Sequence, residues 1–154
     1  MSLYPLFETL EATGVGVAIK ESVWLFPAIE AVHLLALALL GGAVLILDLR
    51  LLGVGLTAQS PSAVERDTRP WLIGAASVLI ITGVLLGLSE AVKLYDKQAF
   101  WVKMIALAAA LVFTFAVRGP VARRDPGLLG KPLAVVSLGL WLTVAIAGRW
   151  IGFS

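Results

Sequence analysis

The chain contains four apolar segments, each close to the length that crosses a lipid bilayer as a helix. They cover residues 23–47, 70–89, 100–117 and 132–151 of the 154-residue sequence. About 20 residues span the hydrocarbon core, and only helices or closed barrels satisfy the backbone there. The apolar runs are continuous and do not alternate as barrel strands would. The sequence therefore predicts an all-α integral membrane four-helix bundle, formed by one domain over residues 1–154.

The composition supports a lipid environment and excludes several classes of site. Hydrophobic residues make up 60% of the chain and charged residues 14%, whereas soluble domains average about 25% charged residues. The net charge is only +2, without the basic face that a nucleic-acid partner requires. Cysteine is absent, which excludes disulfides, thiolate metal sites and iron–sulfur clusters. The lipid bilayer is therefore the expected partner.

The first 22 residues precede the first span and do not resemble a signal peptide. They lack a basic start, and Glu8 and Glu11 fall where the apolar core of a signal peptide lies. Apolar residues share the side opposite these carboxylates: Leu6, Phe7 and Leu10. This pattern predicts a short N-terminal helix in the membrane interface; a loosely ordered tail is the alternative.

The basic residues are divided unequally between the two sides of the predicted bundle. The side that holds the loops after spans one and three carries seven: Arg50, Arg66, Arg69, Arg118, Arg123, Arg124 and Lys131. The opposite side carries five: Lys20, Lys93, Lys97, Lys103 and Arg149. The positive-inside rule then predicts that both termini are outside, in the periplasm of a bacterial inner membrane. The tryptophans fall mostly near span ends, as in an interfacial aromatic belt: Trp24, Trp71, Trp101, Trp141 and Trp150.

One turn of the first span carries two ionisable residues, Glu30 and His33, on one helical face. His33 is the only histidine. A charge inside the bilayer costs roughly 2.5–3.5 kcal/mol on insertion scales, so such groups face a cavity or a partner. Topology brings Glu90, Lys103 and Arg149 to the same leaflet from the other three spans. The sequence thus predicts an outward-facing polar pocket inside the membrane.

Each polar residue also has a structural interpretation. Lys103 and Arg149 stand within about one turn of a span end and can extend their charge to the headgroups. A bridge from Glu30 to His33, or to an arginine of which Arg149 is the best placed, would fix helix packing without any ligand. Asp48 and Arg50 are interpreted as an interfacial cap at the cytoplasmic end of span one.

Several motifs resemble those of an uncharacterised bacterial family of small four-span membrane proteins, known as a domain of unknown function. The similarity covers nearly the whole chain. The motifs are Trp24-Leu-Phe-Pro-Ala-Ile-Glu-Ala-Val-His33, Gly41-Gly42, Asp48-Leu-Arg-Leu-Leu-Gly53, Phe100-Trp-Val-Lys103 and Gly148-Arg-Trp-Ile-Gly152. This resemblance implies a four-span fold and no particular activity.

A weaker similarity extends to the copper-resistance D-type proteins and the membrane protoporphyrinogen oxidases. They share a first-span histidine followed by a glycine pair, and a third-span lysine at the outer end. The resemblance implies that His33 is a metal or haem ligand and that Lys103 belongs to the same site. The chain departs from these groups in having no second histidine. Haem b would therefore need five-coordinate iron, a ligand such as Met104, or a histidine from another subunit; a homo-oligomer is expected.

Three functional hypotheses follow from the sequence. In a haem or redox protein, His33 would ligate iron, Glu30 would orient the ring, and Lys103 and Arg149 would pair with the propionates. In a binding or transport component, the outer cations would hold a small anion, lipid or quinone. In a structural module, the polar groups would only fix packing. No nucleophile–base pair, phosphate loop or paired-carboxylate motif is recognisable, so enzymatic activity is left open.

Overall fold

The fold is given by a computed structural model that describes residues 2–153. The helices are α1 (Tyr4–Glu11), α2 (Gly14–Glu21), α3 (Leu25–Leu52), α4 (Pro61–Ser89), α5 (Ala91–Tyr95), α6 (Gln98–Val112), α7 (Gly119–Ala122) and α8 (Gly130–Phe153). A π-helical segment, Phe113–Arg118, joins α6 to α7, and a 3₁₀ turn, Gly127–Leu129, leads into α8. No strand occurs within the described residues. The predicted all-α fold is therefore confirmed.

Four helical stretches are long and apolar enough to cross a membrane: Leu25–Leu52, Pro61–Ser89, Gln98–Ala122 and Gly127–Phe153. Each exceeds the 20 or so residues that the hydrocarbon core requires. The protein is a multi-pass membrane protein, as its hydropathy predicts. Because consecutive stretches run in opposite directions, the two chain termini lie at one end of the bundle. We call that end the terminal end and the opposite one the far end.

The second long helix begins at Pro61, ahead of the second predicted span, which opens at Pro70. Ser60 caps it, because its side-chain oxygen accepts a hydrogen bond of 3.2 Å from the backbone N–H of Ala63. Proline in the first turn suits a helix start, since its missing N–H would have no intrahelical partner there. Pro70 lies inside the helix, where it removes one backbone donor. The helix thus continues beyond the apolar run that marks the span.

The bundle has a small-residue interior and a large-residue exterior. Helix α3 packs against α4 and α8, and α6 packs against α8. The main core is rich in alanine and draws on all four long helices: Ala36, Leu40, Ala43, Val44, Leu72, Ala75, Ala76, Leu79, Ala106, Ala110, Trp141 and Val144. Larger aliphatic side chains such as Leu35, Ile81 and Ile105 are exposed. This distribution suits helices that pack closely together while facing lipid.

Helices α1 and α2 form a cap over the terminal end, which we call the terminal cap. A cluster of edge-to-face and tilted ring contacts attaches α1: Tyr4, Phe7, Tyr95, Phe100 and Trp101. The Glu11 carboxylate accepts a 2.8 Å hydrogen bond from the Val92 N–H and pairs with Lys20. In α2, Gly16 lies directly against the carbonyl oxygen of Leu88. The N-terminal segment is helical, as predicted, and forms two short helices joined by a tight turn.

The terminal cap is expected to loosen in acid. The Lys20 ammonium and the Val92 N–H hold the pKa of Glu11 below its usual 4.5. A carboxylate with a lowered pKa in the folded state stabilises that state fully above its unfolded pKa. This contribution is lost as the pH falls below about 4.5 towards the folded value. Because the chain has no cysteine, a fluorophore on Val15→Cys, an exposed position of α2, reports cap docking without competing labels.

The substitution Glu11→Gln should remove this acid transition, since the amide does not titrate. Glu8→Gln is the matched control, because Glu8 is exposed on the same helix and makes no ion pair with residues 2–153. An acid transition that survives in Glu11→Gln would show that another group controls the cap.

Candidate functional site

His33 lies half-buried on α3, facing α4. Its Nδ1 is 2.8 Å from the Thr82 hydroxyl oxygen. That hydroxyl donates its single hydrogen to the Val78 carbonyl, 2.7 Å away, so it accepts from His33. This network assigns the ring hydrogen to Nδ1, and the neutral ring carries its lone pair on Nε2. The ring also has a backbone hydrogen bond with Leu79, and no side chain among residues 2–153 bonds to Nε2.

Two glycines make room for the polar side chains at this level. A Cβ at Gly83 would lie 3.3 Å from Cε1 of the His33 ring. A Cβ at Gly148 would lie 3.5 Å from both Cε and Nζ of Lys103, so Lys103 extends along α8 where no side chain stands. His33 and Lys103 each lie in the part of their helix nearest the terminal end. We refer to His33, Thr82 and Lys103 as the terminal-end site.

The Lys103 side chain is half-buried and makes no ion pair or hydrogen bond with other residues of the described chain. Within residues 2–153, no group of three or more histidine, aspartate and glutamate side chains could hold a metal ion. The terminal-end site therefore presents two unfilled functions, a nitrogen lone pair and an ammonium. The site thus combines one imidazole with one cation.

The structure does not bring Glu30 or Arg149 into this site. Glu30 is exposed and makes no ion pair within residues 2–153. Helix α3 has 28 residues, about 42 Å at 1.5 Å per residue, so it is longer than the roughly 30 Å hydrocarbon core. Arg149 is exposed too, with its guanidinium carbon 4.5 Å from the Phe153 ring centroid. The expected Glu30–Arg149 bridge is therefore wrong, because both side chains face away from the bundle interior.

Glu90, the other carboxylate expected at this level, ends α4 and lies 3.1 Å from the ammonium of Lys93. Both side chains are largely exposed, at 36% and 60%. The pair belongs to the bundle surface, where ion pairs contribute little to stability. Glu90 is thus not part of the terminal-end site.

A second polar site, buried at the far end, connects three of the long stretches. The Arg118 guanidinium donates from Nη1 to Asp48 Oδ1 at 2.8 Å, and these side chains are 2% and 0% exposed. Ser137 Oγ donates to Asp48 Oδ2 at 2.7 Å. Arg118 Nη1 also contacts Ser137 Oγ at 3.2 Å and the Val44 carbonyl at 3.3 Å. We call this set the buried ion pair. The interpretation of Asp48 as an interfacial cap is wrong, because its carboxylate points inward.

The π-helical segment positions the cationic half of this pair. Arg118 is its last residue, and Thr114, one turn earlier, accepts a 3.0 Å hydrogen bond from the Trp141 indole N–H. Trp141 is 8% exposed, so it belongs to the core and not to an aromatic belt. Wide helical turns of this kind occur frequently at functional sites. Pro120, which lacks a backbone donor, follows directly and suits an interrupted hydrogen-bond ladder.

The sequence of residues 6–154 matches the family of unknown function DUF6644. The chain belongs to this family. The match covers all four membrane-crossing stretches together with the terminal-end site and the buried ion pair. Membership of an uncharacterised family, expected from the sequence motifs, is thus confirmed. No curated protein and no solved structure matches the chain.

Sequence reasoning missed the buried ion pair of this DUF6644 protein, although a signal for it exists. Asp48 ends the first span and Arg118 ends the third. First and third spans run in the same direction, so their ends meet at one face of the membrane. Opposite charges at matching depths on parallel spans therefore indicate a pair. The count of basic residues hid this signal, because it assigned Arg118 to a loop that sets topology.

Proposed function

We propose that this membrane protein binds haem b at the terminal-end site, with His33 Nε2 as the iron ligand. One observation carries the proposal: His33 Nδ1 lies 2.8 Å from the Thr82 hydroxyl, which orients the ring and leaves Nε2 without a side-chain partner. Metal-bound histidines typically donate their other ring hydrogen in this way, and the acceptor fixes both tautomer and ring direction. In this proposal Thr82 orients the ligand, and Lys103 pairs with a propionate.

The Nε2 lone pair of His33 and the ammonium of Lys103 together favour an anionic ligand that contains a metal over an anion without one. A phosphate or carboxylate alone would suit the Lys103 ammonium but would face the lone pair on His33 Nε2, which repels it. Haem offers both partners, since its iron accepts a lone pair and its propionates accept N–H donors. When bound, it supplies one-electron redox chemistry. The sequence resemblance to membrane protoporphyrinogen oxidases also supports the pairing of His33 with Lys103.

The chain supplies one histidine, so the proposal includes a choice of coordination. Either His33 alone would hold the iron, or Met104 or a second subunit of a homo-oligomer would supply a further ligand. Since more basic residues flank the far end, we place the terminal-end site on the periplasmic side of the bacterial inner membrane. Native mass spectrometry of the detergent-purified protein would report haem and subunit number together.

The test is an absorption spectrum of protein purified from haem-replete cells. We expect a Soret band that disappears in His33→Ala, because the iron ligand is lost. Thr82→Val, which removes only the acceptor for Nδ1–H, should weaken haem binding by roughly 10- to 100-fold, as other second-sphere changes do. Leu34→Ala is the control, since Leu34 is the next residue of α3 and faces lipid, 57% exposed. Folded wild-type protein that stays colourless and gives no spectral shift with added haemin would contradict the proposal.

A second candidate function is the binding of an anionic lipid or a quinone without haem. The unpaired Lys103 ammonium favours it, because a half-buried cation attracts an acceptor oxygen. Colourless protein would then retain the ligand in native mass spectra, and Lys103→Gln would reduce retention while His33→Ala would not. Equal retention in Lys103→Gln and wild type would contradict this candidate.

A further inference from the structure

A small cavity lies beside the buried ion pair at the far end of the bundle. Its volume is about 10 Å³, and its lining includes Glu65, Thr68, Arg69, Arg118 and Arg123. This volume admits one atom of the size of a water oxygen. Within residues 2–153, Arg118 Nε is the buried side-chain nitrogen without a hydrogen-bond partner. The cavity and the unfilled donor therefore belong to the same residue, which is 2% exposed.

Hydrogen bonds from one nitrogen, Nη1, hold the Arg118 guanidinium in place. Its Nη1 donates to Asp48, Ser137 and the Val44 carbonyl. Because the group is planar, these bonds also fix the direction of the Nε–H. The side chain cannot turn to satisfy Nε elsewhere without breaking the ion pair. The guanidinium therefore keeps N–H groups that Asp48, Ser137 and Val44 do not fill, and unfilled buried donors are unfavourable.

The charges around the cavity favour an anionic acceptor over water alone. Asp48 neutralises Arg118, and Glu65 Oε2 accepts from Arg123 Nε at 3.2 Å. The remaining cation of the lining is Arg69. It is half-buried and has no ion pair or hydrogen bond within the part of the chain that the structure describes. The lining of one oxygen-sized space thus includes Arg69, which has no counter-charge, and the partly unfilled guanidinium of Arg118.

We propose that this cavity receives one oxygen of a phosphate group, which accepts from the part of the Arg118 guanidinium that lines it, while Arg69 pairs with the rest of the phosphate at the mouth. The whole phosphate is too large for a space of about 10 Å³, so it sits at the surface and inserts a single oxygen. Its source is the headgroup of an anionic lipid in that leaflet, or free inorganic phosphate. Basic pockets between membrane helices commonly bind such groups. The site lies at the opposite end from the proposed haem site and does not depend on it.

The test compares Arg69→Gln with the control Arg66→Gln in lipid nanodiscs. Arg66 lies on the same helix, is exposed, and stands 3.5 Å from Asp67. One arm uses phosphatidylcholine with phosphatidylglycerol and counts retained phosphatidylglycerol by native mass spectrometry. The other uses phosphatidylcholine alone and titrates inorganic phosphate. We expect Arg69→Gln to weaken binding about fivefold or more in the arm that holds the true ligand, as charge-assisted hydrogen bonds predict, and Arg66→Gln to match wild type.

Arg69→Lys keeps the positive charge and removes the guanidinium, so it distinguishes the effect of charge from that of hydrogen-bond geometry. It also provides a second variant if Arg69→Gln fails to fold. It should fold like wild type and bind better than Arg69→Gln, because the cation is kept. Retention of phosphatidylglycerol that inorganic phosphate does not displace identifies the lipid, and a response to phosphate alone identifies the free ion. Equal binding by Arg69→Gln and Arg66→Gln, or no binding by wild type in either arm, would overturn the proposal and leave only water in the cavity.

Discussion

Replacing Asp48 with alanine is expected to lower the free energy of unfolding by about 3–5 kcal/mol, because it leaves a buried Arg118 without its counter-charge. The carboxylate is fully buried and also accepts the Ser137 hydroxyl, so neither partner can turn to water. Thermal or denaturant unfolding in detergent measures the effect. We expect a lower unfolding midpoint with the helical content of the remaining folded protein unchanged.

Two comparisons distinguish a broken ion pair from a general loss of packing. Asp67→Ala removes an exposed carboxylate, 65% accessible and beside Arg66, and should change stability by at most about 1 kcal/mol. The double change Asp48→Leu with Arg118→Leu should destabilise less than Asp48→Ala alone, since no uncompensated charge remains. If the double variant is as unstable as the sum of its single changes, the two residues do not act as a pair.

Gly16→Ala should detach the terminal cap. A Cβ at this position would lie 2.7 Å from the Leu88 carbonyl oxygen and 2.9 Å from that of Glu11. Both atoms belong to the backbone and cannot move aside cheaply, so we expect a destabilisation of about 1–3 kcal/mol, as in other overpacked sites. Hydrogen exchange over residues 4–21 measures it, because loss of docking exposes the amides of α1 and α2.

Gly14→Ala is the matched control, since a Cβ there would meet nothing within 4 Å. It should leave exchange in the terminal cap unchanged or slower, because alanine is the better helix former. Faster exchange in Gly14→Ala to the same degree as in Gly16→Ala would mean that an added methyl group disturbs α2 at either position, and that the close contact of Gly16 with α4 is not the cause.

Hydropathy was sufficient to predict the four long helices, because the bilayer itself imposes their length and composition. Hydropathy did not predict the residues at which these helices begin and end. Once a helix leaves the hydrocarbon core, capping and turn residues decide where it stops. Ser60 with Pro61 begins α4, and Gly53, with φ of +81°, ends α3 in a left-handed conformation that favours glycine.

The polar sites were harder to predict, because they depend on how each helix is rotated about its axis. Helix α3 is apolar on its lipid-facing and core-facing sides alike, so its pattern does not reveal which side faces inward. Glu30 and His33 were therefore assigned to one pocket, although only His33 contacts α4. The meeting of Asp48 with Arg118 joins residues 70 positions apart, and no local pattern encodes such a distance.

The wide turn at Phe113–Arg118 affects which side of the third long stretch faces the bundle interior. Its inward-facing residues recur every fourth position, at Ala106, Ala110, Thr114 and Arg118. In a regular α-helix with 3.6 residues per turn, each such step drifts by about 40°, so the stripe would wind away from its neighbours. A π-type turn holds more residues and rotates the stripe back. One irregular turn thus returns the inward-facing residues to the side of the helix that faces the bundle. The Arg118 guanidinium therefore faces α3 instead of lipid.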